Sequence, residues 1–326
     1  MLLFCRRLHR VRLLPYCLIG VLPIIACAQS YPTKPVRVVV ASSAGSNPDT
    51  VARVLASGLA PVLGQQVVVD NRAGAGGNIG AEVAARAAPD GYSLFLIHTN
   101  HSINATLYRK LNYDVMQDFA PISLLALSAF VATVHPSLPA RTLRELIALA
   151  RSRPGDLSYA SAGTGSGTFF AAEYFNGLAR VKMLHVPYKG GGPALAAVVA
   201  GETSVYFTPY ATGVAHIRSA RLRALGVTSP KRLADLPQIP AIAEVLPGYE
   251  VQAWAGLMVP MKTPRNIVDA VHKATLAALG SAETKKRLQD LGFIAVGSQP
   301  DELSHYLKGE IGKYATLIRQ IGLPPE

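Results

Sequence analysis

Two loops built from small and polar residues have the composition of an anion-binding site. The first runs from Ala41 to Asp49, and the second runs from Ser161 to Thr168. Each lies between a predicted strand and a predicted helix. The first N–H groups of a helix have no partner within that helix, and the helix dipole places partial positive charge at the same end. Because small side chains let an anion approach this bare backbone, each loop is a candidate carboxylate site.

Taken alone, either loop is also explained as an ordinary connection between a strand and a helix. In the first loop, Asp49 would then serve as the N-cap of the helix that follows. The presence of two such loops, one in each half of the chain, makes an anion clamp a serious alternative, because the loops could face each other across a cleft.

Other motifs do not indicate catalysis. The glycines from Gly74 to Gly80 lack the G-x-G-x-x-G spacing of a dinucleotide site, so a tight turn is predicted there. Ser166 is misplaced for the G-x-S-x-G elbow of a hydrolase. His98 and His101 flank Asn100 at a predicted strand end, which is a plausible position for ligand contact, although H-x-x-H alone is not a metal motif. We therefore expect no enzymatic activity, no cofactor and no metal.

Short apolar strands alternate with amphipathic helices, which indicates an α/β protein with a parallel sheet. Strands are predicted at Val36–Val40, 66–69 and 94–97. A helix is predicted at 50–63, because its apolar residues recur on one face, and another at 79–87. This βαβαβ order implies right-handed crossovers.

A second set of strands and helices begins near Phe130 and predicts a second lobe. Helices predicted at 264–279, 282–291 and 300–321 have only short strands between them, so we expect them to cover a sheet that already exists. The predicted organisation is two Rossmann-like lobes. Lobe one is discontinuous and comprises residues 29–126 plus 254–326, and lobe two comprises residues 127–253.

Residues 1–28 are predicted to be a signal peptide. Four arginines precede an apolar stretch, and Ala26-Cys27-Ala28 places the cut before Gln29. The apolar stretch is shorter than the ~20 residues of a transmembrane helix. Ile24 to Cys27 also resembles a lipobox, so a lipoprotein anchored at Cys27 is the alternative to a soluble periplasmic protein.

The composition predicts buried cores and a solvated basic surface. Half of the 326 residues are apolar and 16% are charged, which argues against disorder. The net charge is +12, and removal of the four leader arginines leaves +8. Because the basic residues are scattered and the chain is expected to be exported, we expect no nucleic acid partner. The mature chain keeps no cysteine beyond a lipidated Cys27, so disulfides and cysteine-based zinc sites are excluded.

Several motifs in order along the chain resemble the substrate-binding proteins of tripartite tricarboxylate transporters, often called Bug receptors. They are Tyr31–Arg37, Asp70–Gly77, Pro89–Tyr92, Asp118–Ile122, Tyr159–Ser166, His185–Ala194, Trp254–Leu257 and Thr263-Pro264. The resemblance covers nearly all of the mature chain. It implies a periplasmic binding protein (Venus-flytrap) fold, a carboxylate ligand held largely by backbone N–H groups and waters, and no catalysis.

The chain departs from this family in its first loop and in lobe two. Ala41, Ser42, Ser43 and Ser46 replace the Pro, Phe, Pro and Gly of the family pattern, which removes an aromatic wall. Ser204 stands where the family often has an acidic residue. The ligand is therefore expected to differ from that of typical members.

The predicted ligand site combines the two loops with strand ends of both lobes. Thr99 and Asn100 follow a strand of lobe one, and Phe207 ends a strand of lobe two. The full set is Ser42, Ser43, Ala44, Gly45, Ser46, Asn47, Asp49, Thr99, Asn100, Ser161, Ala162, Gly163, Thr164, Gly165, Ser166 and Phe207.

We expect a monomeric, exported receptor that delivers a small organic acid to membrane transporter subunits. The alternative is a receptor of the same fold that presents its ligand to a signalling sensor protein. The sequence leaves both open, because the docking surface carries no recognisable motif.

Overall fold

Ten strands and ten α-helices lie within residues 31–324, the part of the chain that the computed structural model describes. The predicted signal peptide and the cut before Gln29 lie outside the described residues. The strands are β1 (Val36–Val40), β2 (Val67–Asn71), β3 (Ser93–His98), β4 (Phe119–Val134), β5 (Ser158–Ser161), β6 (Leu184–Pro187), β7 (Val205–Pro209), β8 (Arg223–Val227), β9 (Gln252–Pro260) and β10 (Ile294–Ala295).

The helices alternate with the strands over most of the chain, as predicted. They are α1 (Asn47–Leu63), α2 (Asn78–Ala85), α3 (Thr99–Leu107), α4 (Leu143–Ser152), α5 (Gly167–Ala179), α6 (Gly191–Ala200), α7 (Tyr210–Arg218), α8 (Arg265–Gly280), α9 (Ala282–Asp290) and α10 (Pro300–Ile321). Among residues 31–324, no helix combines the length and the apolar character needed to cross a membrane.

The strands form two sheets that are joined by β4. In the first sheet, β1 pairs in parallel with β2 and β3, and β9 lies antiparallel between β3 and β4. In the second sheet, β5 pairs in parallel with β6 and β7, and β7 and β8 both lie antiparallel to β4. Residues 119–129 of β4 pair with β9, and residues 130–134 pair with β7. One continuous strand therefore belongs to both sheets.

Helices cover both faces of the first sheet, because its central strands are apolar at consecutive positions. Val38 and Val40 point to a core that includes α1 and α8, while Val39 points to a core that includes α2 and α10. Successive residues of a strand face opposite sides, so an uninterrupted apolar run indicates a sheet that is buried on both faces.

Two helices and most of one strand were not predicted from the sequence. The structure extends β4 back to Phe119, whereas the prediction began at Phe130, and it adds α3 and α7. The first half of β4 contains Pro121, which is unfavourable within a strand. Helix α3 begins with polar residues of modest helix propensity, and its buried side chains, such as His101 and Asn104, are held by tertiary contacts.

Helix α10 packs against two cores, one of the first sheet and one of the second sheet. Leu303 and Leu307 contribute to the core shared with α2, whereas Tyr314 and Leu317 contribute to the core of the second sheet. The ring of Tyr314 meets that of Phe170 in α5 edge to face, with centroids 5.2 Å apart. Helix α10 therefore connects the core of the first sheet with the core of the second sheet.

We predict that truncating Tyr314 destabilises the protein strongly, whereas removing only its hydroxyl does not. Tyr314 is fully buried, so Tyr314→Ala should cost about 3–5 kcal/mol of unfolding free energy. Its hydroxyl has no hydrogen-bond partner within the described residues. Tyr314→Phe should therefore be neutral or stabilising by about 1 kcal/mol. Urea unfolding of both variants measures this; a loss below about 1 kcal/mol for Tyr314→Ala would contradict the role given to α10.

Candidate functional site

The amino ends of three helices meet at one cavity of about 190 Å³. Helices α1 and α3 follow strands of the first sheet, and α5 follows β5 of the second sheet. The lining residues are Ser42, Asn47, Pro48, Val51, His98, Thr99, Asn100, Phe130, Ala162, Ser166, Gly167, Thr168, Ala253, Trp254, Ala255 and Phe293. Because both sheets contribute, the cavity lies where the two halves of the fold meet, at the carboxyl ends of parallel strands.

The start of α1 is capped by Ser46 and not by Asp49, which corrects the alternative considered for the first loop. The Ser46 hydroxyl accepts a hydrogen bond from the Asp49 N–H at 3.4 Å. The Asp49 carboxylate accepts hydrogen bonds from the Gly45 N–H at 2.8 Å, from Arg53 at 2.9 Å and from Asn71 at 2.9 Å. Asp49 thus holds the first loop in place through hydrogen bonds. Its side chain is not part of the cavity lining.

These contacts keep the buried Asp49 carboxylate charged. Burial alone would raise the pKa of the Asp49 carboxyl, but the hydrogen bonds from Arg53, Gly45 and Asn71 outweigh burial and lower that pKa. The negative charge is compensated locally, so it does not oppose an anion in the cavity.

The second loop is held in shape by its own hydroxyl groups. Ser166 is the N-cap of α5: its hydroxyl accepts from the Phe169 N–H at 3.3 Å and donates to the Gly163 carbonyl at 2.6 Å. The Thr168 hydroxyl accepts from the Ala162 N–H at 2.9 Å. Gly163 has φ of +117°, a conformation that favours glycine. This bonding leaves the first turn of α5 facing the cavity through Ser166, Gly167 and Thr168.

Helix α3 supplies the third helix start. From the sequence, Thr99 and Asn100 were predicted only to follow a strand. The His98 N–H donates to His101 Nδ1 at 3.1 Å, which caps the helix. The Thr99 hydroxyl accepts from the Trp254 N–H at 3.0 Å, which ties α3 to β9. Thr99 and Asn100 therefore lie in the first turn of a helix, and both line the cavity.

Six of the sixteen predicted site residues line this cavity: Ser42, Asn47, Thr99, Asn100, Ala162 and Ser166. The other ten do not: Ser43, Ala44, Gly45, Ser46, Asp49, Ser161, Gly163, Thr164, Gly165 and Phe207. Phe207 is fully buried in the core of the second sheet, against Phe175. The hydroxyl of the fully buried Ser161 is engaged by His185 Nε2 at 2.7 Å. Gly165 is backed by Leu107, whose Cδ2 would lie 2.8 Å from an added Cβ.

The apolar residues of the lining were not predicted from the sequence. Val51 belongs to the apolar face of α1, which was predicted without a role in the site, and Phe293 carried no signal because it lies between α9 and β10. Gly167 and Thr168 were within reach of sequence reasoning, since they belong to the second loop. Among the described residues, no group of three or more His, Cys, Asp or Glu side chains could hold a metal ion.

Comparison with known proteins gives a consistent result. The model of the family described as "tripartite tricarboxylate transporter family receptor" matches residues 51–323 of this chain. The UPF0065 protein in the tcbD-tcbE intergenic region of Pseudomonas sp. (strain P51) is 35% identical over 291 residues, which is 89% of this chain and 87% of that protein.

Two solved structures show the same architecture at 32% sequence identity. An R. palustris protein determined with adipate has a TM-score of 0.82, with 91% of this chain and 100% of that chain covered. The periplasmic binding protein BugD has a TM-score of 0.80 at the same coverage. The predicted α/β fold of a periplasmic binding protein is thereby confirmed.

No lysine, arginine, aspartate or glutamate belongs to the described lining, and burial favours the neutral form of His98 and His101. Burial lowers the pKa of His101 to about 4. Burial also lowers the pKa of His98 well below its ordinary value, and the adjacent His101 ring, with its centroid 4.4 Å away, adds to this effect. An anion in the cavity would therefore meet helix ends and neutral polar groups, not a full positive charge.

We predict that acid destabilises the protein through His101. The pKa of His101 is lower in the folded state than the ~6.5 of an unfolded chain, so the unfolded state binds more protons as pH falls. The stabilisation is complete above pH 6.5 and is lost on acidification towards pH 4; between pH 7 and 5, His101 alone should account for roughly 2 kcal/mol. Urea unfolding as a function of pH should show a flatter profile for His101→Gln than for the wild type.

The pH profile of the wild type alone does not isolate the effect of His101. Burial raises the pKa of the Glu310 carboxyl, so Glu310 adds stability as the pH falls, whereas His101 removes it. His305→Gln makes the same substitution at an exposed position of α10 and is the matched control. If the profile of His101→Gln equalled that of the wild type, His101 would not be the buried neutral group described above.

Proposed function

We propose a function from one premise, which is that this chain belongs to the tripartite tricarboxylate transporter receptor family. The chain would be an exported solute-binding protein that captures a small carboxylate-bearing ligand in the cavity and delivers it to the membrane subunits of a tripartite tricarboxylate-type transporter. The observation that carries the proposal is the meeting of α1, α3 and α5, by their amino ends, at one cavity whose described lining holds no charged side chain.

Backbone N–H groups would hold the carboxylate. The first two residues of α5, Gly167 and Thr168, and the first two of α3, Thr99 and Asn100, carry N–H groups that cannot bond within their helices. In α1 only Asn47 offers such a group, because Pro48 has no N–H. Each helix end attracts an anion by about 0.3–1 kcal/mol when exposed and by up to ~2 kcal/mol when partly buried.

A related protein supports the ligand class. The R. palustris structure was determined with adipate, a dicarboxylate. Three helix ends without a fixed cation suit such an anion, since hydrogen bonds to a charged group contribute about 1.5–3 kcal/mol each.

We predict that Gly167→Ala lowers ligand affinity without unfolding the protein. Gly167 lines the cavity, and an added Cβ would lie 3.1 Å from Phe130 Cζ and 3.9 Å from Thr99 Cγ2. The methyl group would therefore occupy space between α5, β4 and α3. Dissociation constants should rise about tenfold or more, which is ~1.4 kcal/mol. Calorimetric titration with short mono- and dicarboxylates measures this, and the fluorescence of Trp254, the single tryptophan, gives a second readout.

Gly177→Ala is the matched control, because it lies in the same helix and an added Cβ would meet nothing within 4 Å. Its affinity should equal that of the wild type. The proposal fails if no small carboxylate binds the wild-type protein, or if Gly167→Ala binds as well as Gly177→Ala.

We also propose that ligand binding closes the two halves by hinge bending, with lobe two taken as residues 127–253. Two features support this: β4 passes from one sheet to the other, and β9 pairs with β4 just before that point. Hinges are commonly a few residues in such crossing segments. Solution X-ray scattering should give a smaller radius of gyration with saturating ligand. An unchanged profile at verified saturation would argue against closure.

A further inference from the structure

The polar side chains that line the ligand cavity fall into two groups, and those at the start of α5 are already engaged. The Ser166 hydroxyl donates to the Gly163 carbonyl at 2.6 Å and accepts from the Phe169 N–H at 3.3 Å. The Thr168 hydroxyl accepts from the Ala162 N–H at 2.9 Å and lies 3.0 Å from the Ser166 hydroxyl. These side chains hold their own loop in shape, so the start of α5 offers a ligand mainly backbone N–H groups.

Three polar side chains on the α1 and α3 side of the cavity have no such commitment. The side chains of Ser42, Asn47 and Asn100 make no hydrogen bond within residues 31–324. These residues are half-buried, whereas His98 and Thr99, which also belong to the lining, are only 5% and 6% exposed. The unengaged side chains therefore belong to one side of the cavity, and two of the three are carboxamides.

Backbone N–H groups do not distinguish one acid from another, because every carboxylate presents the same two oxygens to them. Helix α1 also offers few of these groups, since Pro48 has no N–H and the Asp49 N–H is bonded to the Ser46 hydroxyl. The Asn47 carboxamide, next to Pro48 in the chain, adds two N–H donors. Discrimination between acids therefore depends on side chains.

We infer that Asn47 and Asn100 determine the specificity of the cavity by binding an oxygen-bearing substituent of the acid, either a hydroxyl group or a second carboxylate. This inference rests on the proposed function, because it takes the helix starts as the carboxylate site. A carboxamide has two N–H donors and one acceptor oxygen, so it can donate to a carboxylate and can exchange hydrogen bonds with a hydroxyl. A methylene group at the same place would displace water and leave the carboxamides without a partner, which is unfavourable.

Both asparagines can be truncated without removing a helix cap. The N-caps of α1 and α3 are Ser46 and His98, whereas Asn47 is the first residue of α1 and Asn100 the second residue of α3. Alanine has a higher helix propensity than asparagine, so both alanine variants should fold. Asn266 provides a matched control, because it is the second residue of α8, is exposed and does not belong to the lining.

The first experiment compares three four-carbon acids, butyrate, 3-hydroxybutyrate and succinate, by calorimetric titration of the wild-type protein. At least one of the two substituted acids should bind at least about fivefold tighter than butyrate, as expected for one added hydrogen bond. The acid that shows the preference identifies the substituent as a hydroxyl or a carboxylate. A smaller preference for both overturns the inference and leaves carboxylate capture intact. Binding of none of the three also overturns it, and the proposed function fails as well only if other short mono- and dicarboxylates do not bind.

The second experiment assigns the preference to the asparagines. In Asn47→Ala, in Asn100→Ala or in both, the preference for the substituted acid over butyrate should fall by at least about threefold, while the affinity for butyrate changes little. A purely structural role would instead weaken the binding of all three acids alike. Asn266→Ala should keep the wild-type affinities. If both asparagine variants fold and keep the preference within about threefold of the wild type, these residues do not set the specificity. If one variant does not fold, the other variant and the wild-type preference decide.

Discussion

The first turn of every helix contains backbone N–H groups that have no hydrogen-bond partner within that helix. The candidate site depends on three such turns lying at one cavity. The fold achieves this placement because α1, α3 and α5 each follow the carboxyl end of a strand, α3 directly and the other two after a short loop. Side-chain caps use part of the available donors: Ser46 and Ser166 each accept from the third residue of their helix. The N–H groups that these caps leave free face the cavity. They explain how a cavity whose described lining holds no charged side chain can suit an anion.

The sequence was sufficient to predict most of the fold because its strands and helices carry different periodicities. Val36–Val40 and the helix that follows were found close to their true bounds, and the C-terminal helices cover a sheet as expected. The long strand β4 was found only from Phe130 onward, because Pro121 and the lack of alternation obscure the part before it. Helix α3 was missed because polar residues with low helix propensity open it, and only tertiary packing makes them helical.

The sequence pointed to part of the cavity lining and not to the rest. Glycine and serine between a strand and a helix indicate where an anion could lie, and residues of both loops line the cavity. An apolar residue such as Val51 gives the same pattern whether it faces another side chain or a cavity. Phe293 reaches the site only because Ile294 pairs with Leu127 of β4, a contact between residues far apart in the chain. Local sequence carries no record of such pairing.

The position of α10 has a consequence for the order in which the molecule can be assembled. Tyr314, Leu317 and Ile318 complete the core of the second sheet, and they are synthesised after every strand of that sheet. A nascent chain therefore still lacks part of that core when all the strands of the second sheet have been made. That core can close only after α10 has been made, which delays the final packing of the second sheet.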